Sequence, residues 1–520
     1  MNGIKGDSLI EVLMESLKGE APRLVETHIS WVILAGDRAW KIKKPVDFGF
    51  LDFSTLEKRR ACCEEEIRLN RRLAPDYYLR VAGISREGEG YCFDGEGPVV
   101  EYAVEMKRFD TARQLDRLLE KGALSGQHMD AFADLIADFH LFRAGISTGR
   151  GNAEPVCMPA RDNFRHIENL RRDTLSPVFG ELAAWTADAC DRLAAVFEQR
   201  RMKGWVRECH GDLHLGNMAW VEEGPLVFDC IEFNEDFRWI DLMSEVAFLV
   251  MDLHARGEAG LAWRFLDRYL SITGDYRGLG VLPFYLVYRA MVRAKIAALR
   301  SSQLAEGAEK QAEEEAFERY LQLAHGFARE GRPRLVITRG LSGAGKSTVA
   351  GALVEQGGFI RLRSDVERKR LAGLNPADPA PEAPGEGLYG ADMSARTYAR
   401  LLELAEELLE AGWPLVVDAT FLREDQRAPF QALAQRRRVP FTVLELSASP
   451  QVLRQRLAAR RNDVSDADVR VLEHQLAAYQ PLGEGERSHA IRVDTEAGVR
   501  MAELLSALEA EQPWLPLRGA

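Results

Sequence analysis

The residue pattern predicts an α/β multidomain chain: an α+β unit with a β-rich lobe ahead of a helical lobe, then a unit built on a parallel sheet. Three observations carry this. The chain has 520 residues, and at about 150 residues per domain two to four domains are expected. Short apolar runs broken by turn residues fill positions 26–110, after which apolar residues recur at three- and four-residue steps as far as 329. Beyond Arg332 strands and helices alternate, the signature of a parallel sheet. The expected domains are therefore 1–329, with its small lobe over about 26–110 and its helical lobe over about 111–329, and 333–515.

The elements follow in order. Residues 1–20 break their apolar positions with acids and lysines, which predicts an amphipathic helix and not a signal peptide. Thr27–Leu34 and Ala39–Lys43 flank the turn residues 35–38, a hairpin pattern. Leu56–Leu73 is helical and is closed by Ala74-Pro75, and Val99–Phe109 returns to strand. Helices predominate from Leu115 to about Gly204; short strands and loops fill 208–241, and helices resume as far as Phe327. Glu306–Arg319 mixes both charge signs at helical spacing, a solvated helix face. In the second unit Arg334–Gly340, Leu415–Asp418 and Phe441–Leu446 are short buried strands, and the Pro- and Gly-rich stretch 375–390 is a long loop.

Composition narrows the class. With 46% hydrophobic and 28% charged residues the chain is globular. A net charge of −12 argues against a general nucleic-acid binder. No stretch offers the ~18 uninterrupted apolar residues of a membrane span. The seven cysteines form neither a disulfide framework nor a CxxC metal pattern, which suits a reducing cytoplasm.

Residues Gly340 to Ser347 read GlyLeuSerGlyAlaGlyLysSer and fit G-x-x-x-x-G-K-[ST], between an apolar strand and a helical segment. Glycines there let backbone N–H groups wrap phosphates, Lys346 reaches the β and γ oxygens, and Ser347 ligates Mg²⁺. Gly340, Ser342, Gly343, Ala344, Gly345, Lys346, Ser347 and Thr348 are the candidate ATP-binding set. Asp418 ends a buried strand, where an acid holds the metal, and Asp365 follows the expected second strand, where it faces an acceptor hydroxyl. Either acid alone also suits a cap or a turn. Arg456, Arg460 and Arg461 stand on adjacent helical turns, as a lid over the phosphates or as a solvated face. About 334–494 resembles the small-molecule and polynucleotide kinases of the P-loop class: gluconate kinases, chloramphenicol phosphotransferases and 5′-hydroxyl polynucleotide kinases. The resemblance implies Asp365 as the base, Arg456 and Arg460 as ATP contacts, and positional roles for Arg427 and Gln475.

His210 to Asn217 reads HisGlyAspLeuHisLeuGlyAsn and is followed by LeuValPheAspCysIle, giving H-x-D-x-x-x-x-N and then an acid. Phosphoryl transfer needs such a set: Asp212 to take the hydroxyl proton, Asn217 and Asp229 to hold Mg²⁺. This stretch resembles the aminoglycoside phosphotransferase and choline kinase superfamily, although Cys230 stands where an aromatic residue usually follows the acid. The resemblance implies a protein-kinase-like bilobal fold, a strand lysine on the ATP phosphates and a helix glutamate paired with it. Lys41 is the choice, with Lys43 the alternate on the same face; Glu66 is favoured over Glu64 and Glu65. His140 and His214 read as bonded ring nitrogens rather than metal ligands, and Asp241 as a brace for the catalytic loop.

Together the two motif sets imply a bifunctional ATP- and Mg²⁺-dependent kinase, and the tandem resembles bacterial fusions that join these two domain types. Its expected partners are small-molecule hydroxyl acceptors, with nucleic acid less favoured and no membrane. Two alternatives stay open: a nucleotide-sensing regulator with one silent module, and a 5′-hydroxyl RNA or DNA kinase.

Overall fold

The computed structural model describes residues 6–49, 51–88, 90–147, 153–329, 331–376, 378, 387–459 and 469–510. The chain divides into two compact units, 1–159 with 192–249, and 160–191 with 250–520.

In the first unit six strands form one antiparallel sheet: β1 (Arg23–Glu26), β2 (Ser30–Ala35), β3 (Arg38–Lys43), β4 (Tyr78–Glu87), β5 (Gly90–Phe93) and β6 (Val99–Lys107). Their order is β1-β2-β3-β6-β4-β5. Side chains alternate along β3, so Trp40 and Ile42 join Leu9, Ile10 and Leu13 of α1 (Gly6–Ser16) on one face. Lys41 and Lys43 turn to the opposite face, where both reach Glu66 of α2 (Leu56–Asn70). Thr55 caps α2 by accepting from the N–H of Lys58, and Cys63 and Ile67 seat the helix in a cluster with Val104 of β6.

The rest of this unit holds α3 (Leu115–Glu120), α4 (Gly126–Asp138), the start of α5 (Ala153–Arg171), the end of α6 (Pro177–Met202) and the start of α7 (Leu242–Ala255), the other residues of these three helices falling in the second unit. Between α6 and α7 lie β7 (Val206–Glu208), the hairpin of β8 (Met218–Val221) with β9 (Gly224–Val227), and β10 (Trp239–Asp241) paired to β7. These short strands hold the two loops that carry the first motif.

The second unit contains α8 (Ala259–Thr273), α9 (Leu282–Gln303) and α10 (Ala308–Ala328), followed by a five-stranded sheet. Its strands are β11 (Arg334–Arg339), β12 (Ile360–Arg363), β13 (Pro414–Asp418), β14 (Phe441–Ser447) and β15 (Ala490–Asp494), in the order β12-β13-β11-β14-β15 with every pairing parallel. The helices are α11 (Lys346–Gly357), α12 (Ser364–Leu371), α13 (Ala391–Glu410), α14 (Glu424–Arg437), α15 (Pro450–Ala459), α16 (Val469–Ala478), α17 (Glu484–Arg487) and α18 (Met501–Ala510). Every residue of β11 and β13 is buried, as expected of central parallel strands covered on both faces. Because the strands run one way, the segments after β11, β12 and β13 meet at one edge of the sheet, where ligands bind in open α/β sheets.

The short segment between α10 and β11 lies within the second unit. Of the loop expected over 375–390, residues 377 and 379–386 are outside the described set, and 387–389 form a single 3₁₀ turn. No described helix is long and apolar enough to cross a membrane.

Candidate functional site

The first site is assembled from three segments. Lys41 Nζ lies 2.9 Å from Glu66 Oε1 and 2.5 Å from Asp229 Oδ1. Lys43 Nζ donates to Glu66 Oε2 at 2.7 Å and to Glu232. Glu66 thus bridges both lysines, while Lys43 is wholly buried and Lys41 retains some exposure. Burial alone would lower the Lys41 pKa, but the carboxylates of Asp229, Glu66 and Glu232 raise it well above the ordinary lysine range. Burial raises the pKa of Glu232. Glu66 is opposed by burial too, yet the two ammonium groups hold it below its usual value. Glu232, three residues past Asp229, was not singled out in the sequence, where one further acid after a strand carries no distinctive spacing.

Asp229 adopts a left-handed backbone with φ of 66°. The strain of such a conformation in a residue with a Cβ, roughly 1 kcal/mol or more, is held by its surroundings. Its N–H donates to the hydroxyl of Tyr78 at 3.0 Å and the next N–H to Asn70 Oδ1 at 2.9 Å. The loop of residues 210–217 is tied to this turn. Phe228 N–H donates to Asn217 O (3.1 Å), His210 Nε2 to Phe228 O (2.8 Å), and Ile231 N–H to His210 O (3.0 Å). Asn217 Nδ2 donates to Asp212 Oδ2 at 3.0 Å, and Asp212 and Asp229 both act electrostatically on His210. Asp212, Asn217, Asp229, Lys41 and Glu66 therefore belong to one connected cluster.

The loop is braced from α7. The buried Glu245 accepts from the N–H of His210 (2.7 Å), the N–H of Gly211 (2.9 Å) and His140 Nε2 (2.9 Å). Burial opposes its ionised form, but these donors hold its pKa down at about 2. Gly211 has φ of 91°, and a Cβ there would stand 2.7 Å from Phe237 O. Asp241, expected as the brace, is engaged instead by Arg200 at 2.6 and 2.8 Å and by the N–H of Met243. His214 accepts from the N–H of Gly216 through Nδ1, and its Nε2 lies 3.4 Å from Asp212 Oδ2. Cys209 joins His140 and Glu245 with candidate ligand atoms within 4.8 Å of one another, a grouping that the sequence separates widely.

The second site is a cavity of about 910 Å³ at the sheet edge. Ser342, Gly343, Gly345, Lys346, Ser347, Thr348, Asp365, Asp418 and Arg456 all line it, as does Gln475. Arg363 and Asp418 are register partners on β12 and β13, so the turn into α12 sets Asp365 beside the end of β13. Gln475 Oε1 accepts from the N–H of Ser342 at 2.8 Å. Arg456 donates to Gly343 O at 3.2 Å and to Thr495, fastening α15 to the loop.

Other expected residues stand elsewhere. Ala344 is in the hydrophobic core, and Gly340 supports the loop from beneath: its φ is 153° and an added Cβ would meet Leu446 O at 2.5 Å. Arg427 is buried against Glu486 and Phe421 O and is not among the cavity's lining residues. Arg460 and Arg461 lie outside the described residues. Arg363 and Arg368, also in the lining, escaped notice because single arginines near a strand end have no diagnostic spacing.

Comparison with known proteins matches residues 57–282 to the Phosphotransferase enzyme family and residues 335–482 to an AAA domain. The Mycobacterium tuberculosis protein named Uncharacterized protein Rv2004c is 32% identical over 479 residues, covering 91% of this chain and 92% of its own. Similar solved structures include a choline/ethanolamine kinase family protein from Mesorhizobium loti, with 11% identity and a TM-score of 0.40 over 61% of this chain and 94% of that one. A gluconokinase from Sinorhizobium meliloti 1021 has 22% identity and a TM-score of 0.25 over 35% of this chain and 91% of that one. The chain belongs to the same family as the mycobacterial protein and joins a kinase-type phosphotransferase domain to a C-terminal P-loop kinase domain.

Proposed function

We propose that the chain is a bifunctional ATP-dependent phosphotransferase whose modules, taken as 1–329 and 333–515, each move the γ-phosphoryl group to a hydroxyl of a small-molecule acceptor. The observation that carries this reading is the convergence of Lys346, Ser347, Asp365 and Asp418 on one cavity. The connected cluster of Lys41, Glu66, Asp212, Asn217 and Asp229 supports the same chemistry in the first module.

The donor types fit Mg²⁺ and a triphosphate, since carboxylate, amide and hydroxyl oxygens suit a hard cation and lysines suit phosphate. Bound Mg-ATP supplies the phosphoryl group and neutralises its charge. In the first module Asn217 and Asp229 would hold the metal and Lys41 the phosphates, with Glu66 fixing the lysine. Asp212 takes the acceptor's proton, and Asn217 keeps its carboxylate oriented. In the second, backbone N–H groups of Gly343 and of 345–348, with Lys346, would cradle the phosphates, and Ser347 and Asp418 would hold the metal. Arg456 closes on the phosphate side, while Asp365 orients the acceptor hydroxyl and accepts its proton. We place the protein in the cytoplasm, where its cysteine thiols stay reduced.

The test is mass spectrometry of a metabolite extract incubated with ATP, Mg²⁺ and protein. Asp212→Ala and Lys346→Ala should each deplete a different phosphorylated product, the first by about 10²–10⁴-fold, as expected from removing a catalytic base, and the second by removing the cation on the phosphates. Loss of every product from one variant and none from the other would mean that a single module is active. A product found only on added RNA or DNA would replace the small-molecule acceptor.

A further inference from the structure

Helix α8 belongs to the segment matched by the phosphotransferase family, yet it lies in the same compact unit as the P-loop sheet. Its residues Gly260, Trp263, Arg264, Asp267 and Ser271 fall three or four apart and so share one face. That face meets α11, β12 and α12. A Cβ on Gly260 would stand 3.2 Å from Glu355 O, so the two helices approach closely there. Arg264 pairs with Glu355 at 2.7 Å, and Arg370 of α12 donates to Ser271 O at 2.7 Å.

The contact with chemical consequence lies between these. Arg361 of β12 makes a two-pronged pair with Asp267, at 2.5 and 3.2 Å, and both side chains are largely buried. The same guanidinium donates through Nη1 to the carbonyl of Ser347 at 3.2 Å. The hydroxyl of Tyr276, just after α8, donates to Arg361 O at 3.4 Å. A residue far from the P-loop in sequence is thus one side chain away from the first turn of α11.

We propose that Asp267 is a positioning residue for the P-loop nucleotide site: through Arg361 it fixes the main chain at Ser347, in the first turn of α11. This rests on the reading of that cavity as a nucleotide site. Burial disfavours the charged guanidinium, and Asp267 is the leading group that offsets this, with Asp418 a further carboxylate in electrostatic reach. The helix therefore works for the P-loop site although it falls outside the AAA-domain match.

The test is MgADP affinity of the full chain by titration calorimetry, in a background carrying both Lys41→Met and Asp229→Ala so that binding at the P-loop site is read alone. Asp267→Asn should weaken binding by about tenfold or more, as loss of a group supporting a metal site does. Asp267→Glu should recover most of it. Glu355→Gln, at the same helix contact but at the far end of α11, should lower the thermal midpoint and leave MgADP affinity unchanged. Equal weakening by Asp267→Asn and Glu355→Gln, or native affinity in Asp267→Asn, would overturn the proposal. Should Asp267→Asn fail to fold, Arg361→Lys serves: it keeps the charge but loses the rigid fork that spans Asp267 and Ser347 O, and native affinity there overturns the proposal equally. Lys346→Ala must abolish binding in the same background. If it does not, the nucleotide-site reading falls, and the positioning role falls with it.

Discussion

Lys41 and Lys43 differ in what surrounds them, and two residues of spacing in one strand could not say how. Both reach Glu66, but Lys43 is closed off by Glu232, whereas Lys41 faces Asp229 at the site. Glu66 was legible as the partner from its place ahead of an apolar run; Glu232 and Glu245 were not, because their importance comes from burial beside charges distant in sequence. His254 shows the same dependence. It is buried between Trp263 and Phe327, and neither ring nitrogen has a hydrogen-bond partner among the described residues. Burial lowers its pKa from 6.5 to about 4. The unfolded chain therefore binds the proton first, and stability present above pH 6.5 is lost as the pH falls toward 4, by up to about 3 kcal/mol. His254→Phe should flatten that slope in thermal melts taken across the window. At neutral pH it should stabilise by about 1 kcal/mol or more, by removing buried unpaired nitrogens. A slope unchanged from the native protein would assign the pH dependence to other groups.

Among the elements, β2, β3, β11, β13 and β14 announce themselves as apolar runs, because buried strands need such residues. β1 and β15 are less evident. All four residues of β1 are exposed and β15 is an edge strand, so neither carries the continuous apolar signature. The loop from β11 to α11 was legible as an element, since Gly340, Gly343 and Gly345 take the positive φ that its turns need, although Gly340 and Ala344 stand outside the cavity lining. Gly340→Ala tests this at the element's own scale. The new Cβ would collide with Leu446 O on β14, so the loop must shift. The expected outcome is a loss of roughly 1–3 kcal/mol in denaturant melts, the range of a strained backbone position. MgADP affinity should fall with it. Native stability in this variant would mean that the loop relaxes without penalty.

At the scale of the whole molecule, a fragment starting at residue 333 contains every P-loop motif but lacks α8. It leaves Arg361 without Asp267, Trp413 Nε1 without the Leu279 carbonyl that it meets at 3.1 Å, and the Trp263–Trp413 contact undone. Removing α8 exposes the apolar surface around Trp413 and opens Arg361 to water, so the fragment should unfold at clearly lower denaturant than the same unit in the intact chain. Equal midpoints would show that the sheet stands without the helix. The sequence by itself determined the two kinase-type domains, their order, and most of the residues gathered at each site, because phosphate cradles and catalytic loops depend on residue types at short, rigid spacings. Only the tertiary structure decided that Glu232 closes off Lys43, that Glu245 braces the loop of residues 210–217, and that α8 packs against the P-loop unit. Those outcomes depend on which distant side chains share a low-dielectric interior, and a charge's partner there is set by three-dimensional proximity, which linear spacing does not encode.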